Sequence, residues 1–142
     1  FFILNQPAYV SGRWNQLMAG PQTQNAHPGW HVVVIHPGIH ISTKEAFEGV
    51  VPKPAPFDLT TLLAEPIQNW GSRIGNDFET ATRHKQPSID QALKLLLEEG
   101  AGYAQMTGTG SAVYGLFAQQ SEALLAQEKG NHQGWRTHVS SW

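Results

Sequence analysis

With 142 residues, 40% of them apolar and only 14% charged, the chain has the composition of one folded domain with a hydrophobic core, which excludes a disordered tail. A formal net charge of −2 with scattered basic residues excludes a nucleic-acid surface or a membrane-surface patch. The absence of cysteine excludes disulfides, thiolate catalysis and cysteine-based zinc sites, and it is compatible with a reducing cytoplasm.

No stretch approaches the apolar length that spans a bilayer, and Phe1 to Leu4 is too short and lacks the basic start of a signal peptide. The chain opens without Met on that apolar run, so it is expected to begin inside a larger protein, on a strand or strand edge. Short apolar pieces at Ala8 to Val10 and Gln16 to Ala19, punctuated by Pro7, Gly12 and Gly20, predict short strands and turns. Residues 21 to 29 read as a polar loop. Trp30 to His36 holds the continuous β-branched run Val32 to Ile35, the mark of a strand covered on both faces, and Pro37 ends it. Ser42 to Glu45 has capping-box spacing and predicts a short helix to about Glu48.

Three prolines between Gly49 and Pro56 break regular structure. Asp58 is placed to cap a helix with Leu59, Leu62 and Leu63. Asn76 to Glu79 offers a second capping box, and Ser88 to Gln91 a third. The third opens a helix with Ile89, Ala92, Leu93, Leu96 and Leu97 at helical spacing, stopped by Gly100 and Gly102. Tyr103 to Thr107 and Ala112 to Phe117 read as two strands around a Gly-Thr-Gly turn. A helix from Gln119 to Lys129, with Leu124 and Leu125, is ended by Gly130, and Trp135 to Val139 is the last strand. Strand, helices, two strands, helix, strand is the split β-α-β order of a ferredoxin-like α+β domain.

The loop Gly108-Thr109-Gly110-Ser111 lies between two predicted strands. Its glycines permit positive φ and leave the backbone uncovered, so successive N–H groups can converge on an anion. Thr107, Thr109 and Ser111 add hydroxyls. No Lys follows the second glycine, and Val113 stands where G-x-G-x-x-G needs a third glycine, so neither phosphate-loop pattern applies. A tight hairpin and an anion site are both consistent with this pattern.

The segment around Met106-Thr107-Gly108-Thr109-Gly110-Ser111-Ala112-Val113-Tyr114 resembles the third motif of the galactokinase, homoserine kinase, mevalonate kinase and phosphomevalonate kinase superfamily. Its form is most similar to the diphosphocytidyl-methylerythritol kinase branch. Phe1-Phe2 resembles the residues just after that family's catalytic Gly-x-Asp-x-Pro segment. Val32 to Phe47 resembles its substrate-side segment, and Asn76-Asp77-Phe78-Glu79 its Asn-Asp-Leu-Glu motif. The resemblance implies the ferredoxin-like C-terminal domain of an ATP-dependent kinase that uses Mg²⁺ carried with ATP. It implies phosphorylation of the 2-hydroxyl of 4-diphosphocytidyl-2-C-methyl-D-erythritol, or of another small alcohol in a sister branch. A non-catalytic ferredoxin-like binding module is the reading from another class.

By the same resemblance, Gly108, Thr109, Gly110 and Ser111 support the ATP-phosphate loop. His36, Pro37, Gly38, Ser42 and Thr43 line the substrate pocket. Phe47 either faces the cytosine or packs in the core, and Asn76 and Asp77 cap a helix beside the site. Residues 1–20 would end the strand region of a preceding domain or link to it, with residues 21–142 as the C-terminal domain. The ATP-binding motif and the catalytic Asp, expected just before Phe1, would belong to an N-terminal domain with which this chain pairs. The isolated chain is therefore expected to be inactive.

His31, His36 and His40 are close in sequence, but His31 and His36 are five apart on a strand and point to opposite faces. No metal site is assigned, because zinc needs three or four converging ligands. Trp30, Trp70, Trp135 and Trp142 are assigned to packing.

Overall fold

The computed structural model describes residues 8–11, 16–19, 29–51, 58–71 and 73–141. The expected segment at Phe1-Phe2, the loop of residues 21–28, the proline-rich stretch 52–57 and Trp142 lie outside the described residues. The elements in chain order are β1 (Ala8–Ser11), β2 (Gln16–Ala19), β3 (His31–His36), α1 (Thr43–Glu48), α2 (Leu59–Leu62), a 3₁₀ turn (Ile67–Asn69), α3 (Glu79–Lys85), α4 (Pro87–Glu98), β4 (Tyr103–Met106), β5 (Val113–Phe117), α5 (Gln120–His132) and β6 (Arg136–Ser141).

β1 and β2 pair as an antiparallel hairpin. The other four strands form one antiparallel sheet in the order β4-β5-β3-β6. This is the ferredoxin-like topology expected from the element order, with α4 and α5 as the two crossover helices. The β-branched run takes a central place because both of its faces find apolar partners. Val33 and Ile35 are fully buried in a cluster with Ile89, Leu93 and Leu96 of α4. Val32, on the other face, packs against Ile67, Trp70, Tyr103 and Leu116.

α4 buries Ile89, Ala92, Leu93 and Leu96, the stripe its spacing predicts, but Leu97 falls one step off it and is 54% exposed. The helix starts two residues earlier than the capping box suggested, with Gln86 and not Ser88 at its N-cap. Pro87 is its first residue, where a missing N–H costs nothing, and Ser88 lies inside it. α5 departs further from expectation. Its buried stripe is Ala123, Ala126 and Gly130, while Leu124 and Leu125 point outward. Gly130 does not end this helix, which runs on to His132. A Cβ on Gly130 would lie 2.8 Å from Thr137 Cγ2 and 3.5 Å from Ile35 Cδ1. Small residues therefore let α5 sit close on β3 and β6.

The second face is closed by the 3₁₀ turn and its flanks. Arg73 clasps both oxygens of Glu65 at 2.6 and 2.7 Å, and Trp70 Nε1 donates to the Glu65 carbonyl at 3.2 Å. The Trp70 ring meets Tyr103 edge-on at 5.7 Å, and burial pushes the phenols of Tyr103 and Tyr114 up. Trp30 and Trp135 are half-buried against the two clusters, so the described tryptophans pack as expected.

α3 and α4 are joined by Arg83, which pairs with Glu79 at 3.2 Å and with Asp90. Asp90 also receives Lys94 at 2.8 Å. Lys94 and then Arg83 hold the Asp90 carboxyl below the usual carboxylate range.

In a solvated helix, Gly→Ala stabilises by about 1 kcal/mol. Gly130→Ala is expected to reverse that sign and lower stability by roughly 1–3 kcal/mol, because the new methyl meets the strands beneath. Urea unfolding of the two proteins measures it. A carboxyl held lower in the folded state stabilises the fold above the ordinary carboxylate range and loses that contribution as pH falls through its lowered value. The parent chain is accordingly expected to lose stability below about pH 4, and Asp90→Asn to flatten that fall. Unfolding midpoints across that range would reveal it.

Candidate functional site

Two loops meet at one end of the main sheet: the turn that leaves β3 at His36 and the connection from β4 to β5. Ser111 joins them. Its side chain is buried, and its hydroxyl donates to the Ile39 carbonyl at 2.6 Å. The Gly38 N–H donates to His36 Nδ1 at 3.1 Å, which leaves the neutral ring's proton on Nε2. Nε2 lies 3.5 Å from Ser111 Oγ. The result is a one-directional chain from Gly38 through His36 and Ser111 to Ile39. Because the Ser111 hydroxyl proton is taken by Ile39, this residue's offer to a ligand is its backbone.

The glycine loop is closed by Thr107 N–H on the Ala112 carbonyl at 2.9 Å and by a turn from Gly110 N–H to the Thr107 carbonyl at 3.0 Å. Gly108 has φ +55° and Gly110 φ +89°. The two glycines serve different purposes. A Cβ on Gly110 would come within 2.8 Å of Ile41 Cδ1 and Met106 Sδ, so this residue is needed for both conformation and space. A Cβ on Gly108 would meet nothing within 4 Å among the described residues, so the backbone there is open to an approaching group.

The capping box expected at Asn76 to Glu79 does not form. α3 begins at Glu79 itself, and the two polar side chains reach across to the loop. Asn76 Nδ2 donates to the Met106 carbonyl at 2.8 Å and to the Gly108 carbonyl at 2.7 Å, while its Oδ1 accepts from Phe78 N–H at 3.0 Å. Glu79 Oε2 accepts from Met106 N–H at 2.8 Å. Sequence reasoning missed this role because a capping box and a cross-strand grip use the same residue types at the same spacing.

The other expected residues lie in the turn after β3 and on α1. Pro37 is buried, and Gly38 is exposed. Ser42 holds the N-cap position of α1, but its hydroxyl makes no capping bond, contrary to expectation. Ala46 N–H bonds the Ser42 carbonyl instead, at 3.0 Å. Thr43 opens α1 and is exposed. The core-packed alternative for Phe47 does not hold, for its side chain is 61% exposed. Its ring and that of Phe78 meet edge-to-face at 4.9 Å and 74°, which steadies an otherwise solvent-facing aromatic. Between α1 and α3 runs an open groove lined by Ile41, Glu45, Thr82 and Lys85 among others.

The glycine loop itself carries no titratable side chain. The arrangement can donate hydrogen bonds and admit a group close to the backbone, but the loop moves no proton. Among the described residues no three His, Cys, Asp or Glu side chains gather to hold a metal ion.

Gly110→Ala is expected to destabilise the chain by roughly 2–3 kcal/mol through crowding added to backbone strain, and Gly108→Ala by about 1 kcal/mol through strain alone. Urea midpoints of the two variants, side by side, test the order.

Comparison with known proteins agrees with this architecture. The family described as GHMP kinases C terminal matches residues 59–134, more than half of the chain. The 4-diphosphocytidyl-2-C-methyl-D-erythritol kinase of Cytophaga hutchinsonii is 38% identical over 123 residues, covering 87% of this chain and 45% of that protein. The kinase of the same name from Bacteroides thetaiotaomicron is 33% identical over 139 residues, covering 98% of this chain and 47% of its own length. The chain thus spans about half the length of the curated relatives it matches. A crystal structure of 4-(cytidine 5'-diphospho)-2C-methyl-D-erythritol kinase superposes with a TM-score of 0.71 at 21% identity, over 97% of this chain and 50% of that one. A homoserine kinase from Cytophaga hutchinsonii gives 0.62 at 22% identity, over 89% and 44%. At such identity these two structures establish the fold, and the family match establishes membership: the chain belongs to the GHMP kinase C-terminal family.

Proposed function

We propose that the chain is the C-terminal part of an ATP-dependent kinase that phosphorylates the 2-hydroxyl of 4-diphosphocytidyl-2-C-methyl-D-erythritol, a cytoplasmic step toward isoprenoid precursors by the non-mevalonate route. The observation that carries it is the junction at Ser111, which ties the glycine loop to the turn after β3. A kinase needs its phosphoryl donor and its alcohol acceptor held against each other, and most of its rate comes from that positioning. The relatives' names supply the choice of alcohol.

In this reading residues 1–20 belong to the preceding strand region or its linker, and residues 21–142 to the C-terminal domain. Gly108, Thr109, Gly110 and Ser111 back the ATP-phosphate loop of the N-terminal half. The open backbone at Gly108 fits a phosphate-bearing neighbour, since no side chain stands over it among the described residues. The loop holds no Lys or Arg; by the family resemblance, charge neutralisation comes from the N-terminal half and from Mg²⁺ carried by the phosphates. His36, Pro37, Gly38, Ser42 and Thr43 line the acceptor side. Ser42 and Thr43 suit this role because the Ser42 hydroxyl makes no capping bond and Thr43 is exposed. The free face of Phe47 stacks on the cytosine. When the acceptor oxygen attacks the γ-phosphorus, the bond to the bridging oxygen of ADP breaks. By the family resemblance, the hydroxyl proton passes to an Asp upstream of Phe1.

The test compares the isolated chain with a protein extended upstream to the length of its relatives. The extended protein is expected to consume ATP with the cytidine-bearing alcohol and to leave homoserine and mevalonate unphosphorylated, while the isolated chain shows no turnover. Turnover by the isolated chain would sink the division of labour, and preference for homoserine would sink the substrate. The homoserine kinase likeness makes that panel necessary, since the fold alone does not select the alcohol.

A further inference from the structure

We propose that Asn76 and Glu79 are positioning residues that hold the glycine loop in its phosphate-facing shape; the phosphate rests on the kinase reading above. Each of the two residues uses one side-chain atom locally at α3 and commits another to the end of β4. Asn76 Oδ1 takes the Phe78 N–H, which fixes the amide's orientation and turns both Nδ2 hydrogens toward the carbonyls of Met106 and Gly108. Glu79 takes the Met106 N–H on one oxygen and Arg83 on the other. Met106 is thus gripped at its N–H and its carbonyl, at the point where the chain leaves the sheet.

Gly108 is exposed, and nothing among the described residues lies within 4 Å of where its side chain would stand. Its carbonyl is tethered by Asn76. The tether pulls that carbonyl down toward α3, and the next peptide N–H, on Thr109, then faces away from it across the planar bond. A planar peptide whose carbonyl is tied back presents its N–H outward, which is the polarity an anion requires. Loss of the tether frees the peptide to rotate and turn an oxygen toward the phosphate instead.

Asn76→Asp keeps the shape but replaces both donors with an oxygen set against two carbonyl oxygens. Glu79→Ala removes the acceptor for Met106 N–H, and Glu79→Gln keeps one. The first measurement is backbone NMR on the isotope-labelled 142-residue chain. In Asn76→Asp and Glu79→Ala, the amides of Gly108, Thr109 and Gly110 are expected to become mobile and exchange fast. Exchange at Val33 and Ile35 in the core should stay as in the parent, and Glu79→Gln should restore the ordered loop. The second measurement is kinetic, on the extended protein. Asn76→Asp is expected to raise KM for ATP roughly tenfold or more while KM for the alcohol stays within about twofold, because misplacement at the phosphate side costs on that order. Unchanged loop signals in both Asn76→Asp and Glu79→Ala would overturn the proposal, as would equal rises in the two KM values. An extended parent protein that transfers no phosphate would instead defeat the kinase reading, and the NMR comparison would still decide whether these side chains shape the loop.

Discussion

An edge strand leaves backbone groups without a neighbour, and the last residue of β4 is where this chain meets that constraint most sharply. Met106 is buried, so its outward N–H and C=O must be paired. Glu79 and Asn76 pair them. The placement of α3 is then set by where those two side chains have to be. The helix is drawn against the sheet edge, and Arg83 ties it to Asp90 at the first turn of α4. α4 in turn is seated by Ile89, Leu93 and Leu96 on the strands. A continuous series of contacts thus runs from the apolar core to a surface loop that is unpacked at Gly108.

The opposite flank of that loop is fixed by different means. Ser111 is small enough to be buried in the angle between two connections and polar enough to bond the Ile39 carbonyl. Gly110 beside it gives way to Ile41 and Met106. On this side the fit depends on the absence of bulk, and on the α3 side it depends on hydrogen-bond direction. The loop is defined by the two together, which is why its backbone can be open to solvent at Gly108 without being loose in design.

Elements whose identity is written in one-dimensional periodicity were legible in the sequence. The run from Val32 to Ile35, the stripe on α4 and the strand pair around the glycine loop all appear where spacing put them, and their order was enough for the topology. The corner where the candidate site lies was marked by the Met106 to Tyr114 motif and by the segment after β3. What remained hidden depends on distance between backbones. The core face of α5 is made of Ala123, Ala126 and Gly130 because the helix lies close to the sheet, so the larger Leu124 and Leu125 are turned out. On α1 the buried position goes to Ala46, and Phe47 next to it is exposed. Asn76 and Glu79 bond groups about thirty residues away, and no local pattern distinguishes that from a cap.

The pairing of β3 has a consequence for how the chain comes to be folded. β3 precedes the other three strands of its sheet in sequence and stands inside that sheet, yet its partners are β5 and β6. The hydrogen bonds of its two edges therefore stay open during synthesis until those strands emerge, and His36 meets Arg136 only after every other described strand has been made. During that interval Val32 to Ile35 is an exposed apolar β-forming segment, the kind most prone to pair with another chain. His31 before it and His36-Pro37-Gly38 behind it place polar and strand-breaking residues at both ends, so the interval is guarded by the same turn that later carries the site.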